Sequence, residues 1–243
     1  MAEAAVKKDE AMKVLSAPLE KYVPPEGMTK QQIVDEFHKL AYSAAWEEQI
    51  SWQRTQWMGF PLLKMPGDLL NLSDLIWNIK PHLIVETGTA AGGSALFMAT
   101  LLDGMGTGKI VTIDVKQVDR AYPAHPRIAY LGGRSSTEAG ILNEVGRMAE
   151  FYGGPVMVIL DSDHSQEHVT NELTGYSGFV SPGSYLIVED TNVNGHPVLP
   201  EFGPGPYEAL QEWLPKHPEF REDTRIPSYH LFSTQTWLRK SRV

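Results

Sequence analysis

Short runs of apolar residues alternate along most of the chain with longer segments in which apolar residues recur at helical spacing. Five such runs follow one another after Pro81, and they read LIVE, KIVTID, RIAYL, VMVILD and SYLIVED. Continuous apolar runs are typical of parallel strands that are buried on both faces. Because the segments between them have helical periodicity, the pattern predicts an α/β, Rossmann-like fold, in which helices cover both faces of a mostly parallel sheet.

Further elements are predicted on either side of these five strands. Extended segments near Phe220 to Arg225 and Leu231 to Leu238 would complete a seven-stranded sheet at its far edge. At the other end, Thr29 and Gln32 have the spacing of a capping box, and an amphipathic helix is expected to follow. We therefore predict a flexible N-terminal arm over 1–27, a helical extension or lid over 28–80, and a ligand-binding domain over 81–243.

Composition excludes several classes of chemistry. The chain of 243 residues has no cysteine, so disulfides, thiolate zinc sites, iron–sulfur clusters and cysteine nucleophiles are all ruled out. Thirty acidic residues against 21 basic ones give a net charge of −9, which argues against nucleic acid as a partner. The uncharged stretch that contains residues 90–102 is too short to span a membrane. We expect a soluble cytoplasmic protein that acts on a small molecule.

A glycine-rich turn follows the first of the five strands and reads Glu86-Thr87-Gly88-Thr89-Ala90-Ala91-Gly92-Gly93-Ser94. Glycine allows backbone amides to approach a ligand at the start of a helix. The spacing is not that of the dinucleotide motif G-x-G-x-x-G, which disfavours a pyrophosphate. A nucleoside with a carboxylate fits better. Since S-adenosylmethionine has that shape, we predict that Gly88 lets the chain pass this donor and that Ser94 receives its carboxylate.

Three other residues are candidates for donor binding. Asp114 ends the second strand, where an acid in such folds accepts hydrogen bonds from both ribose hydroxyls; the alternative is a solvated strand-end acid. Glu86 could bind the amino group of the donor, or it could fix the turn. Ser135 lies where adenine is expected, but with Glu138 it also has the spacing of a capping box.

Acidic residues are concentrated after two of the later strands. Asp161-Ser162-Asp163-His164 follows VMVIL, and Glu189-Asp190 follows SYLIV. The carboxyl ends of adjacent parallel strands meet at the ligand crevice, so these acids should converge. Without cysteine, such a cluster suits Mg²⁺, Mn²⁺ or Ca²⁺, and we assign Asp161, Glu189 and Asp190 as ligands. The alternative is a set of helix caps and solvated turn acids, a role that suits Asp163 best.

Histidines near the predicted metal site are candidates for proton transfer. His164 follows Asp161 by three residues, and an imidazole there could remove a proton from a hydroxyl group that lies beside the metal. The alternative is a capping or surface histidine. One turn later, His168 fits a structural role better, whereas His196 could contact substrate in the Gly/Pro-rich loop over 191–206. The tryptophans Trp46, Trp52 and Trp57 are consistent with either core or a lid over a ligand.

Several of these motifs together resemble a known family. They are the W-x-G-x-P pattern at Trp57, the ETG-x-x-x-GGSA turn, the D-S-D-H sequence and the E-D pair. Over roughly residues 50 to 240 the chain resembles the family that joins the cephalosporin hydroxylases with the rhamnosyl O-methyltransferases. The resemblance implies a class I S-adenosylmethionine-dependent O-methyltransferase fold with bound Mg²⁺, which it places on Asp161, Glu189 and Asp190. Asp161 is also assigned to the donor site.

The resemblance also bears on the acceptor. Related sugar methyltransferases of macrolide biosynthesis have a histidine at the position of His164, which favours aliphatic over catechol hydroxyls. We therefore expect O-methylation of a hydroxyl on a sugar or another natural product, by a homo-oligomeric enzyme. Two alternatives remain open at this point. One is a hydroxylase, although a two-histidine, one-carboxylate iron site is not evident, and the other is a non-catalytic protein that binds S-adenosylmethionine.

Overall fold

The computed structural model describes residues 23–43, 52–119, 121–226 and 236–242. Among these residues, a helix and a tight hairpin precede the sheet. Helix α1 (Lys30–Ser43) begins at the predicted capping box, where Gln32 N–H donates to Thr29 Oγ1 over 3.1 Å. Strands β1 (Gln56–Trp57) and β2 (Phe60–Pro61) pair around Met58 and Gly59, both with positive φ, which is the geometry of a two-residue hairpin. Helix α2 (Pro66–Ile79) follows.

Seven strands of the described chain form one sheet, in the order β5-β4-β3-β6-β7-β9-β8. They are β3 (Leu83–Thr87), β4 (Lys109–Asp114), β5 (Ile128–Gly132), β6 (Val156–Leu160), β7 (Tyr185–Val188), β8 (Phe220–Glu222) and β9 (Trp237–Lys240). The five predicted strands pair in parallel, and β9 pairs antiparallel with both β7 and β8. The predicted sheet is confirmed, although residues 231–235 of the last predicted strand lie outside the described residues.

Helices cover both faces of the sheet, as predicted. On one face, α2 and α3 (Gly93–Met105) pack their apolar residues against the strands. The other face is covered by α4 (Ala139–Tyr152), α5 (Gln166–Tyr176) and α6 (Pro206–Trp213). The strands of the sheet centre, β3 and β6, are buried at every residue, which explains why they read as continuous apolar runs.

The chain divides into two compact units, residues 1–36 and 37–243. The sheet, its helices and the hairpin all lie in the second unit. Within helix α1, the apolar side chains of Phe37 and Leu40 are half exposed, so they do not form part of the core. No helix among the described residues combines the length and the apolar character that crossing a membrane requires.

Candidate active site

The site lies where the strand order reverses, at the carboxyl ends of β3 and β6. Ligands bind at this switch point in open α/β sheets, because the loops from the two strands lead to helices on opposite faces. Gly88, directly after β3, has φ +84°, and a Cβ atom on it would lie 1.8 Å from the carbonyl oxygen of Asp161. Only glycine permits this approach, so the glycine predicted to bring the chain close to a ligand also brings the two strand ends together.

Two cavities open on either side of this contact, and both are lined by Gly88, Ala90, Asp161 and Ser162. The first, which we name the acid cavity, has a volume of about 310 Å³ and is also lined by His164 and Asp190. The second, the nucleoside cavity, has a volume of about 480 Å³ and is also lined by Asp114 and Ser135. Of the predicted metal ligands, Asp190 lines the acid cavity alone and Asp161 lines both cavities, whereas the predicted ribose and adenine residues line the nucleoside cavity.

Three of the predicted residues converge in the acid cavity. Side-chain atoms of Asp161, His164 and Asp190 that could ligate a metal all lie within 4.8 Å of one another. His164 Nε2 is 3.3 Å from Asp190 Oδ2. Asp161 follows β6, Asp190 follows β7, and His164 precedes α5, so the parallel pairing of β6 and β7 creates the cluster. The expected convergence of these acids is therefore present in the fold.

Glu189, the third predicted ligand, is not part of this cluster. Its Oε1 lies 3.0 Å from Nζ of Lys64, which is also 2.8 Å from Asp161 Oδ2. Lys64 lies between β2 and α2 and is only 3% exposed. Sequence reasoning missed this residue; the available signal was a single lysine within the apolar run Phe60 to Met65.

The charges of the cluster and of the adjoining Lys64 and Glu189 do not balance. Burial alone would lower the pKa of Lys64, but the carboxylates of Asp161 and Glu189 hold it well above its usual value, so the side chain is an ammonium. Burial raises the pKa of Asp161 and of Asp190, even though Lys64 and His164 oppose the increase. Three carboxylates face one ammonium, which leaves two negative charges to be neutralised. A divalent cation would supply that charge.

Glu86 and Ser94, two predicted donor-binding residues, are hydrogen-bonded to each other. Glu86 is fully buried; its Oε1 accepts a hydrogen bond from Ser94 Oγ over 2.5 Å, and its Oε2 accepts one from Thr112 Oγ1 over 2.7 Å. Ser94 lines the acid cavity, whereas Glu86 lines neither cavity. Of the two roles considered for Glu86, this geometry supports fixing the turn between β3 and α3.

Burial of Glu86 predicts a pH dependence of stability. Burial raises the pKa of Glu86 to about 7, from an ordinary value of 4.5. Between these values the folded protein keeps a proton that the unfolded chain has lost, so the free energy of unfolding falls as pH rises, by about 3 kcal/mol in all. Glu86→Gln should remove this part of the slope in urea unfolding between pH 4.5 and 7. The exposed Glu150→Gln should keep it; a wild-type slope in Glu86→Gln would contradict the assignment.

Asp114 lies in the predicted place but also has a structural role. Its Oδ2 accepts hydrogen bonds from the backbone N–H groups of Thr89 and Ala90, each over 3.1 Å, and its Oδ1 accepts one from Lys116 N–H over 2.9 Å. The carboxylate therefore holds the glycine-rich turn while it lines the nucleoside cavity. Because a carboxylate has about four lone-pair sites, acceptor capacity remains for a ligand.

The far wall of the nucleoside cavity is a polar network. Ser135 lines this cavity, and its backbone N–H donates to Glu138 Oε1 over 3.0 Å, which is half of the predicted capping box. Beside it, His168 Nε2 lies 3.1 Å from the hydroxyls of both Ser136 and Ser162. The structural role predicted for His168 agrees with these contacts.

The remaining aromatic candidates divide between core and cavity wall. Trp57 packs edge-on against Phe97 and is core, whereas Trp52 lines the acid cavity and stacks on Tyr42, with ring centroids 5.5 Å apart. Trp46 lies outside the described residues. His196 is 2.9 Å from Glu208 Oε1 and does not line the acid cavity, so the structure does not bring it to the predicted site.

Comparison with known proteins places the chain in a family. The sequence profile described as "Rhamnosyl O-methyltransferase/CmcI" matches residues 49–241. The chain belongs to this family. A rhamnosyl O-methyltransferase of Mycobacterium tuberculosis H37Rv is 36% identical over 195 residues, which cover 79% of this chain and 77% of that protein. One from Mycobacterium leprae is 37% identical over 188 residues, 76% of this chain and 80% of that protein. The resemblance inferred from the motifs is confirmed.

Solved structures of CmcI share the fold of this rhamnosyl O-methyltransferase/CmcI family member. An apo structure of CmcI aligns with a TM-score of 0.63 at 20% identity and covers 93% of this chain and 90% of the other. A CmcI structure described as Mg-SAM aligns with a TM-score of 0.58 at 18% identity, covering 92% and 89%. These similarities confirm the predicted Rossmann-like methyltransferase fold.

Proposed function

We propose that this member of the family is an S-adenosylmethionine-dependent, Mg²⁺-assisted O-methyltransferase that acts on a hydroxyl of a sugar or another natural product. The observation that carries the proposal is the meeting of the nucleoside cavity and the acid cavity at Gly88 and Asp161. A methyl donor in one cavity and a hydroxyl in the other would approach each other beside Gly88, which has no side chain. The curated relatives are named for the same reaction class on a rhamnosyl group.

The donor is assigned to the nucleoside cavity. Asp114 would accept hydrogen bonds from the ribose hydroxyls, of which the second would have to displace one of its three backbone N–H partners, and Ser135 would lie beside the adenine. Ser94, at the start of α3 in the acid cavity, would receive the carboxylate through backbone amides of the helix, and its hydroxyl would take part only if it left Glu86. Asp161 lines both cavities, so it belongs to the donor site as well as to the acid cluster. A donor role for Glu86 would require the buried carboxylate to exchange its present partners.

The acid cluster fits a divalent cation by its charge and by its ligand chemistry. Asp161 and Asp190 supply oxygen ligands, and the surplus of negative charge favours a cation. Glu189 stays our predicted third ligand, which would require it to leave Lys64; His164 is the alternative third ligand in the present arrangement. Bound Mg²⁺ would lower the pKa of a coordinated hydroxyl and orient it. CmcI, for which the family is partly named, has a solved structure described as Mg-SAM.

His164 is proposed as the general base. Its Nε2 lies in the acid cavity, 3.3 Å from Asp190 Oδ2, so the imidazolium formed by proton uptake would be stabilised by a neighbouring carboxylate. The hydroxyl oxygen attacks the sulfonium methyl, the C–S bond breaks as the C–O bond forms, and the proton passes to His164. The chain fixes the two reactants in line, which is the principal contribution that positioning makes to such a transfer.

The hydroxylase alternative is weaker on the ligands present. Among the described residues, the one cluster of three potential metal ligands contains a single histidine. A two-histidine, one-carboxylate iron site would need a second histidine there, and both His168 and His196 have other partners. The cytoplasmic location and the homo-oligomeric state stay predictions from the sequence.

Donor binding provides the direct test. Calorimetry should show that S-adenosylmethionine and S-adenosylhomocysteine bind more tightly than NAD, because the turn lacks a pyrophosphate site. Asp114→Ala should weaken both by tenfold or more, since charge-assisted hydrogen bonds contribute about 1.5 to 3 kcal/mol each. Asp119→Ala, at an exposed acid in the following loop, is the control. Methyl-labelled donor with Mg²⁺ and a panel of glycosides then tests transfer. Preferential NAD binding would refute the assignment.

A further inference from the structure

A third cavity, of about 530 Å³, lies at the end of the sheet opposite to the candidate active site, where β7 begins at Tyr185. Helix α2 forms one wall, and the chain around β8 and β9 forms the other. We name this space the arginine cavity, because the charged side chains that line it are Asp74, Asp223, Arg225, Arg239 and Arg242. None of these five residues lines the acid cavity or the nucleoside cavity.

The charges of Arg225 and Asp223 cancel each other. Arg225 Nε is 2.8 Å from Asp223 Oδ1, and Arg225 Nη2 is 2.5 Å from Asp223 Oδ2, which is a bidentate pair. The hydroxyl of Tyr185 donates to the same carboxylate over 2.5 Å. The hydrogen bonds from Arg225 hold the pKa of Asp223 well below its ordinary value. This pair therefore adds no net charge to the arginine cavity.

Arg239 and Arg242 have no such carboxylate partner. Within the described part of the chain, the ion pairs of lysine and arginine side chains include neither residue. Both side chains lie against Gly183: Arg239 Nε donates to its carbonyl over 3.4 Å, and Arg242 Nε lies 2.6 Å from where a Cβ atom would be. Two guanidinium groups that meet at one glycine repel each other, and an anion bound between them would remove that repulsion.

The strand register directs Arg239 into the cavity. Arg239 on β9 lies directly opposite Tyr185 on β7, and opposite residues of antiparallel strands point to the same face of the sheet. Tyr185 is buried in the apolar cluster that helix α2 covers. Arg239 therefore faces α2 as well, so a guanidinium group lies at the edge of the core.

The wall that α2 contributes is polar. It presents the side-chain amides of Asn71 and Asn78 and the carboxylate of Asp74. Such groups bind hydroxyls, whereas a carboxylate repels a second anionic group. The cavity volume lies within the roughly 300 to 1,000 Å³ that is typical of small-molecule sites. The space thus combines a cationic end with a wall that suits hydroxyl groups.

We propose that the arginine cavity binds a small hydroxylated phosphate ester, such as a sugar phosphate, with the phosphate at Arg239 and Arg242 and its hydroxyl groups toward Asp74. Guanidinium groups bind phosphate through paired, charge-assisted hydrogen bonds, and a phosphate dianion matches the charge of two of them. Because this cavity shares no residue with the acid and nucleoside cavities, its ligand is not a reactant in methyl transfer. The inference is independent of the proposed function.

Calorimetry with glucose 6-phosphate tests the proposal. The protein and the phosphate-free buffer contain no divalent metal, so no cation can link the phosphate to the acid cavity. Saturable binding is expected with a Kd below about 1 mM. Gluconate, a hydroxylated carboxylate, should bind at least about fivefold more weakly, because it carries one negative charge against two guanidinium groups. Absence of glucose 6-phosphate binding, or gluconate binding of equal or greater strength, would overturn the proposal.

Three single substitutions locate the phosphate. Arg239→Gln and Arg242→Gln should each weaken glucose 6-phosphate binding by about tenfold or more. Arg221→Gln is the matched control, since Arg221 lies opposite Arg239 on β8 and is exposed but does not line the arginine cavity. Its effect should stay within about threefold because salt screens an exposed charge. Circular dichroism checks that each variant is folded; if Arg239→Gln is not, Arg242→Gln decides. Unchanged binding in the folded variants of the cavity, or an equal loss in Arg221→Gln, would overturn the proposal.

Asp74→Asn tests the hydroxyl-binding wall. Inorganic phosphate has no carbon-bound hydroxyls, so the ratio of its Kd to that of glucose 6-phosphate measures what the sugar contributes. Removal of the Asp74 charge affects the phosphate group of both compounds equally, and the lost hydrogen bonds affect only the sugar. The ratio should therefore fall by about threefold or more. An unchanged ratio would overturn the assignment of a hydroxylated ligand.

Discussion

Asp190→Asn is expected to reduce methyl transfer by roughly 10²-fold or more, and chelation by excess EDTA should have the same effect on the wild-type protein. Both changes remove cation binding from the acid cavity, where a bound metal contributes several kcal/mol to charge stabilisation. Asp190 does not line the nucleoside cavity, so the affinity for S-adenosylmethionine should stay within a few-fold. Asp161 is less suitable for this test because it lines both cavities.

Asp163→Asn is the control for the metal prediction. Asp163 is two residues from Asp161, but its Oδ1 accepts a hydrogen bond from Ser165 N–H over 2.8 Å, and it lies outside the cluster of potential ligands. Its replacement should leave metal dependence unchanged. Turnover that is undiminished in excess EDTA would refute the metal site, and Mn²⁺ should restore activity after chelation because it accepts the same oxygen ligands.

Replacement of His164 by alanine should lower kcat by 10²- to 10⁴-fold, the usual contribution of a positioned general base. Affinity for the donor should be unchanged, since His164 lines the acid cavity and not the nucleoside cavity. His196→Ala is the matched control, because His196 is bonded to Glu208 outside that cavity. Initial rates with each variant are measured over a titration with Mn²⁺.

The titration separates two roles of His164. If it is the base, kcat stays low at saturating metal, because added metal does not replace the missing imidazole. If it is instead the third metal ligand, higher Mn²⁺ concentration restores kcat. That recovery, or near-normal turnover of His164→Ala at all metal concentrations, would contradict the base assignment.

The sheet could be predicted because burial on both faces leaves a pattern in the sequence. Strands β3 and β6 are buried at each position, and their apolar runs follow directly. The position of β9 between β7 and β8 could not be predicted in the same way. A local pattern fixes where a strand begins and ends, whereas its neighbours depend on pairing between distant segments.

The site was predictable to the extent that topology determines it. Asp161 and Asp190 converge because β6 and β7 are adjacent parallel strands. The place of His164 in the same cluster could be predicted because it follows Asp161 by only three residues. Lys64 was missed because its partner Asp161 is 97 residues away in sequence. Tyr42 was missed for a similar reason, since nothing in helix α1 indicates that this residue lines a cavity.

The hairpin of β1 and β2 is a structural part of the active site. The carbonyl oxygen of Pro61 lies so close to Gly93 that a Cβ atom there would be 2.1 Å away, and three residues later Lys64 reaches the acids. A truncation that begins at residue 81 would keep the strands and lose the ammonium that two carboxylates contact. A shortened chain that keeps the complete site must therefore begin before residue 56, where the hairpin starts. Exchange of the sheet and its helices alone between relatives should not transfer activity.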